Sequence, residues 1–146
     1  MRLDPEAVGL EPSHELPRVF GVMMETGYPE GWATLGALAD GTTSLYTSTG
    51  GGVIGGGEHE NVAAATTQLV RAVEDALDLI PPSPEQHLPA SGRVVIRALT
   101  YQGPHAVDAL EDDLGHGRHP LSPVFHAAHE VITRLRLIDE AGAGPT

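Results

Sequence analysis

Histidines are concentrated in the last third of the chain. Five of the eight lie between residues 105 and 129, namely His105, His116, His119, His126 and His129. His126 and His129 are three residues apart, which places them on one side of a helix, and Glu130 follows directly. Imidazole nitrogens and carboxylate oxygens bind divalent transition metals, and His116 or His119 from the preceding loop could complete the ligand set. This cluster therefore raises the hypothesis of a metal-dependent enzyme resembling a hydrolase, although it lacks the His-Glu-x-x-His spacing of zinc proteases.

Two other interpretations of the histidines remain open. A polar helix surface that faces solvent explains His126 and His129 without any ligand. Histidines that lie close together also gain charge together near pH ~6, which would make an interface sensitive to pH.

A second feature is a glycine-rich segment, formed by Gly50, Gly51, Gly52, Val53, Ile54, Gly55, Gly56 and Gly57. A helix pattern starts immediately after it, and amides at a helix N-terminus favour bound anions. Glu58 and Glu60 already place negative charge there, however, and would repel a phosphate. We therefore expect the segment to contact backbone or a partner chain, with a small-ligand or anion sensor as the alternative.

Several reaction classes are excluded or disfavoured by missing residue types. The chain has no cysteine, so thiol nucleophiles, disulfides and cysteine-bound metals are excluded. All eight positively charged residues are arginine, and without lysine neither a Walker A loop nor a Schiff base can form. The hydroxyl-rich segment 42–49 lacks the Gly-x-Ser-x-Gly elbow of a serine hydrolase. We expect no catalytic residue and no cofactor, unless the histidines bind a metal.

Charge and length limit the partners and the organisation. The net charge of −12 over 146 residues disfavours nucleic acid. No run of 18 apolar residues could span a membrane, and the first residues lack the apolar core of a signal peptide, so we expect a cytoplasmic protein. We predict a flexible N-terminal arm over residues 1–17, a single domain over 18–139 and a disordered tail over 140–146.

The elements that position these residues begin with three strands. Residues 19–25, 32–39 and 42–49 have strand-like patterns, and Asp40-Gly41 is typical of a tight hairpin turn. This predicts an antiparallel meander of three strands. Tyr28 and Trp32 flank the first turn, where a pair of exposed aromatic rings would form a contact patch.

The second half of the chain alternates helices with a strand. Apolar residues spaced three or four apart predict a helix from the glycines to Ile80, ended by Pro81-Pro82. Residues 93–101 predict a fourth strand, residues 105–114 a short helix, and residues 122–138 a last helix.

The predicted order, β-β-β-α-β-α-α, indicates an α+β fold in which helices pack on a mostly antiparallel four-stranded sheet. With an acidic surface and no convincing catalytic group, the sequence favours a non-enzymatic protein-interaction module. We expect a homo-oligomer or a component of a larger assembly.

Overall fold

The computed structural model of the chain describes residues 9–48, 52–54, 59–84 and 88–142, and for 52–54 and 138–142 it describes the backbone alone. The fold is α+β, as predicted, and is built on one antiparallel sheet. The sheet order is β4-β3-β2-β1-β5-β6. Gly50, Gly51, Gly55, Gly56 and Gly57 lie outside the described residues, as do the ends of the predicted arm and tail.

The three-stranded meander is present. It consists of β1 (Val19–Tyr28), β2 (Gly31–Leu38) and β3 (Thr43–Thr47). β1 pairs with β2 and β2 with β3, both antiparallel. The turn between β2 and β3 uses Gly41 at a φ of 95°, a conformation that glycine adopts without strain, and the Asp40 carboxylate accepts a hydrogen bond from the Thr42 amide at 2.9 Å.

The prediction of four strands is wrong, because the sheet has six. The first addition is β4 (Gly52–Ile54), a three-residue edge strand that pairs with β3. The second is β6 (Gly103–Leu110), in a region predicted to be helical. There a tight turn after β5 (Arg93–Thr100) brings Gly103 opposite Thr100. Gly103 has a φ of 117°, and pairing with β5 outweighs the helix-like apolar spacing.

Among the described residues, three α-helices form a layer on one side of the sheet. α1 (Glu60–Asp75) ends earlier than predicted, and a 3₁₀ turn (Leu77–Leu79) leads to the prolines. α2 (Glu111–Gly115) is one short turn, and α3 (Ser122–Gly142) is the long C-terminal helix. No helix of the described residues has the length and apolar character needed to cross a membrane.

The hydrophobic core lies between the helices and one face of the sheet. Its strand residues are Val19, Val22 and Met24 of β1, Leu35 and Ala37 of β2, Leu45 of β3, Val94, Ile96 and Ala98 of β5, and Ala109 of β6. These residues are separated by two positions in each strand, except that a register shift after Val19 adds one residue, and the register pairs them across the sheet. Because strand side chains alternate, the core residues all point to the same face, which we call the helix face.

The segment before β1 is attached to α1. Leu16 belongs to the core, and the Glu74 carboxylate of α1 accepts hydrogen bonds from the amides of Arg18 and Val19 at 2.7 and 3.0 Å. Arg18 Nε donates to the other carboxylate oxygen at 2.5 Å. These bonds hold the start of the central strand against the helix layer.

Candidate functional site

The face of the sheet opposite the helices is the candidate functional surface. Residues that alternate with the core positions point to this second face. On β5 one of them, Val95, is fully buried, whereas those on β2 and β3 are partly or largely exposed. The register arranges them in rows that cross the strands. One such row reads Tyr46, Thr34, Glu25, Val95 and Asp108 from β3 to β6.

Two exposed aromatic rings stand on β2 and β3 of this face. Trp32 is the single tryptophan of the chain and is 37% exposed, and Tyr46 is 45% exposed. Tyr46 is opposite Thr34, so Trp32 is its diagonal neighbour at a distance of roughly 7–8 Å, close enough for one partner to contact both rings. We call Trp32, Thr34 and Tyr46 the aromatic patch. Gly52 of β4 is opposite Tyr46 on its other side and has no side chain to cover the ring.

Apolar surface continues from the patch along the central strands. Met23, Leu38 and Leu99 point to the second face and are partly exposed. A Cβ at Gly21 would lie 2.8 Å from a Leu38 methyl and 3.1 Å from a Leu99 methyl, so these two side chains close over the glycine backbone. We call Met23, Leu38 and Leu99 the apolar strip, which begins at Met23, diagonal to Thr34 of the aromatic patch.

Ion pairs border the strip on the β5 side. Arg97 Nε donates to Glu25 Oε1 at 2.8 Å, and both residues are buried. Arg93 Nε donates to Asp108 Oδ1 at 2.6 Å at the neighbouring position. The positive charges of β5 are therefore matched by carboxylates on the adjacent strands and contribute little free positive charge to the face.

The segment before β5 forms one wall of the surface. A Cβ at Gly27 would collide with the Ala90 backbone, so the chain near Ala90 crosses the second face where Gly27 leaves room. The Gly92 amide also donates to the Gly27 carbonyl at 3.0 Å. Because Gly27 pairs with Trp32, this wall stands next to the aromatic patch.

Tyr28 and Trp32 do not form the shared patch that the sequence suggested. Trp32 is paired with Gly27 and points to the second face, so Tyr28, one position later in β1, points to the helix face. Burial and the nearby carboxylates of Glu111 and Glu30 raise the pKa of Tyr28, against a lowering effect of Arg136. The exposed ring nearest to Trp32 in the register is Tyr46, its diagonal neighbour on β3, which was not among the residues predicted from the sequence. The sequence pattern that could have identified Tyr46 is the strand-like alternation in segment 42–49. Consecutive strand residues point to opposite faces, so Tyr46 points away from the core residue Leu45.

The predicted metal ligands are not gathered into one site. His119 Nδ1 accepts a hydrogen bond from the Leu121 amide at 3.0 Å, and His126 Nε2 lies 3.3 Å from the Gly115 carbonyl oxygen. Glu130 accepts from Arg134 Nε at 2.9 Å. Within the described ranges, no three histidine or carboxylate side chains are placed to hold a metal ion.

His129 is packed against the ring of Phe125, with the ring centroids 4.3 Å apart. Its Nε2 is buried and has no hydrogen-bond partner in the described structure. Burial lowers the pKa of His129, and the positive charges of Arg136 and His126 lower it further. His129 is therefore a neutral packing residue at pH 7.

Glu130 and Arg134 also line a groove of about 240 Å³ between α1 and α3. Its remaining walls are Ala64, Ala65, Gln68 and Ala127. The Arg134 guanidinium is held there by Glu130 and by the Asn61 carbonyl, which accepts from Nη1 at 2.5 Å. The groove follows from two helices that pack closely through alanines.

The described part of the glycine-rich segment has a structural role. Gly52, Val53 and Ile54 form β4, whose backbone pairs with Tyr46, Leu45 and Ser44 of β3. This is a backbone-to-backbone contact at the edge of the sheet. Whether the whole segment binds a partner or an anion stays a prediction, because its other glycines lie outside the described residues.

A comparison with protein-family models gives no match, and a comparison with curated proteins also gives none. The geometry of the second face is therefore the basis for a functional proposal.

Proposed function

We propose that this chain is a non-enzymatic protein-interaction module whose contact surface is the aromatic patch with the adjoining apolar strip. The observation that carries the proposal is the position of Trp32 and Tyr46, which are diagonal neighbours and are both exposed on the sheet face opposite the helices. Both phenylalanines of the chain are buried, and the third exposed aromatic side chain, Tyr28 at 41%, lies on the opposite face.

Physical reasons support contact with a protein. Tryptophan and tyrosine are enriched at interfaces because each buries a large rigid area at a low cost in conformational entropy. The adjoining Met23 and Leu38 would lose further apolar surface to a partner, at roughly 25 cal/mol per Å² removed from water. A homo-oligomer and a larger assembly are both forms of this function.

The test is site-specific photo-crosslinking in the cells that produce the protein. A photoreactive amino acid placed at position 46 should give a discrete cross-linked product, to a second copy or to another protein. The control position is 79, because Leu79 of the 3₁₀ turn is 53% exposed and lies outside the sheet. A product of equal yield at both positions, or none at position 46 together with a strictly monomeric protein, would refute the proposal.

A further inference from the structure

The unpaired charge around the second face is negative. Six described arginines form ion pairs with carboxylates, namely Arg18, Arg71, Arg93, Arg97, Arg118 and Arg134. The seventh, Arg136, lies in α3 and acts on His129 and on Tyr28, which the Glu30 carboxylate of the β1–β2 turn also affects. The net charge of −12 therefore comes mainly from carboxylates that are not paired with an arginine.

Two such carboxylates stand at the ends of β2, the strand that carries Trp32. Glu30 lies in the turn before β2, two residues from Trp32, and Asp40 lies in the turn after it. Neither forms an ion pair with any arginine in the described parts of the chain. Glu30 therefore brings a carboxylate near Trp32, where it would attract a cation that stacks on the ring. Asp40 is eight residues beyond Trp32, roughly 27 Å along the strand, so salt screens its effect on the rings.

The size of the surface favours a segment over a second folded copy. The aromatic patch, together with Met23 and Leu38, lies within β1 to β3, an area of at most about 14 Å across the strands by 24 Å along them, or roughly 340 Å². A stable interface between folded proteins buries about 800 Å² on each side. Two copies that met through this face would also bring two chains of net charge −12 together.

We propose, on the basis of the function proposed above, that the partner is a basic segment of another protein. Its apolar side chains cover Met23 and Leu38, while an arginine or lysine stacks on Trp32 or Tyr46 and faces Glu30. Cation–π contacts of this kind contribute most where the ring is partly desolvated, as it becomes when the segment binds.

The experiment selects a displayed library of random 12-residue peptides on the intact protein, with counter-selection on the Tyr46→Ser variant. Trp32 is the single tryptophan, so its fluorescence reports directly on binding of the selected synthetic peptides. We expect the peptides to be rich in arginine or lysine with interspersed apolar residues. Tyr46→Ser should weaken binding about tenfold or more, as for a central interface residue. Glu30→Gln should weaken it about twofold to fivefold at low salt and less at high salt.

Other outcomes separate this inference from the proposed function. Selected peptides that are acidic or neutral, or binding that is unaffected by Glu30→Gln and by salt, would overturn the basic partner and leave the contact surface standing. Self-association that is abolished by Tyr46→Ser and preserved by Leu79→Ser would also overturn the basic partner, while it would support the contact surface. Failure to select any peptide dependent on Tyr46 overturns the inference, and the cross-link at position 46 then decides the function independently.

Discussion

Glu74 is the residue whose replacement tests most directly how the central strand is anchored. Its side chain accepts three hydrogen bonds from Arg18 and Val19, and the Arg18 guanidinium also donates to the Glu74 carbonyl at 2.7 Å. Glu74 is only 5% exposed. Glu74→Gln keeps the shape of the side chain but removes its charge and turns an amide N–H₂ toward Arg18.

The expected cost follows from the bonds that change. The backbone amides can still donate to the remaining amide oxygen of glutamine, whereas the charge-assisted bond from Arg18 is lost. A hydrogen bond to a charged group contributes about 1.5–3 kcal/mol, so we expect Glu74→Gln to lower the free energy of unfolding by about 2 kcal/mol. Glu74→Ala also leaves the backbone N–H groups of Arg18 and Val19 without an acceptor, so we expect it to lower the free energy of unfolding by about 4 kcal/mol.

The dependence on pH provides an independent check. Burial alone would raise the pKa of Glu74, but the hydrogen bonds from Arg18 and Val19 outweigh it, so the pKa lies below its usual value. A carboxylate with a lowered pKa stabilises the fold above its unfolded pKa of about 4.3, and this stabilisation is lost as pH falls through the folded pKa. The gap between wild type and Glu74→Gln should therefore be constant from pH 5 to 8 and shrink in stronger acid.

The assay is urea denaturation at several pH values, with Asp75→Asn as the matched control. Asp75 is the next residue of α1, is exposed and has no ion pair among the described residues. A loss below about 0.5 kcal/mol for Glu74→Gln, similar to that of a neutral surface substitution, would refute the reasoning. So would a gap that stays unchanged below pH 4.

Two further predictions concern packing. Because the pKa of His129 is lowered, the unfolded chain binds a proton that the folded chain does not, so stability is full above about pH 6.5 and falls as pH drops toward the folded pKa. His129→Phe should remove this part of the slope in urea midpoints between pH 5 and 8, and an unchanged slope would contradict the assignment. Gly27→Ala should cost about 1–3 kcal/mol in thermal unfolding because the new methyl meets the Ala90 backbone. Gly36→Ala, which meets only the movable Ser44 hydroxyl, should cost less, and equal losses would argue against a fixed wall at Ala90.

Local patterns in the sequence were sufficient for the elements with strong periodicity or clear turns. The Asp40-Gly41 pair and the alternation around it predict the meander, and the spacing of apolar residues predicts α1 and α3. The helix predicted over residues 105–114 is wrong for most of its length. Val107, Leu110 and Leu114 have helical spacing, but Val107 and Leu110 lie in the strand β6. Only pairing with β5 distinguishes the two conformations, and pairing is a long-range interaction that periodicity does not contain.

The candidate site shows the same division. Composition alone establishes that the chain is acidic and has one tryptophan. The absence of cysteine excludes thiol chemistry, and the absence of lysine excludes a Schiff base. The sequence also identifies Trp32 as a candidate contact residue. Only the tertiary structure separates Trp32 from Tyr28, places it beside Tyr46 and shows which face the helices leave uncovered. The physical reason is that a one-residue change in strand register moves every side chain to the opposite face, and register is decided by the packing of the whole sheet against its helices.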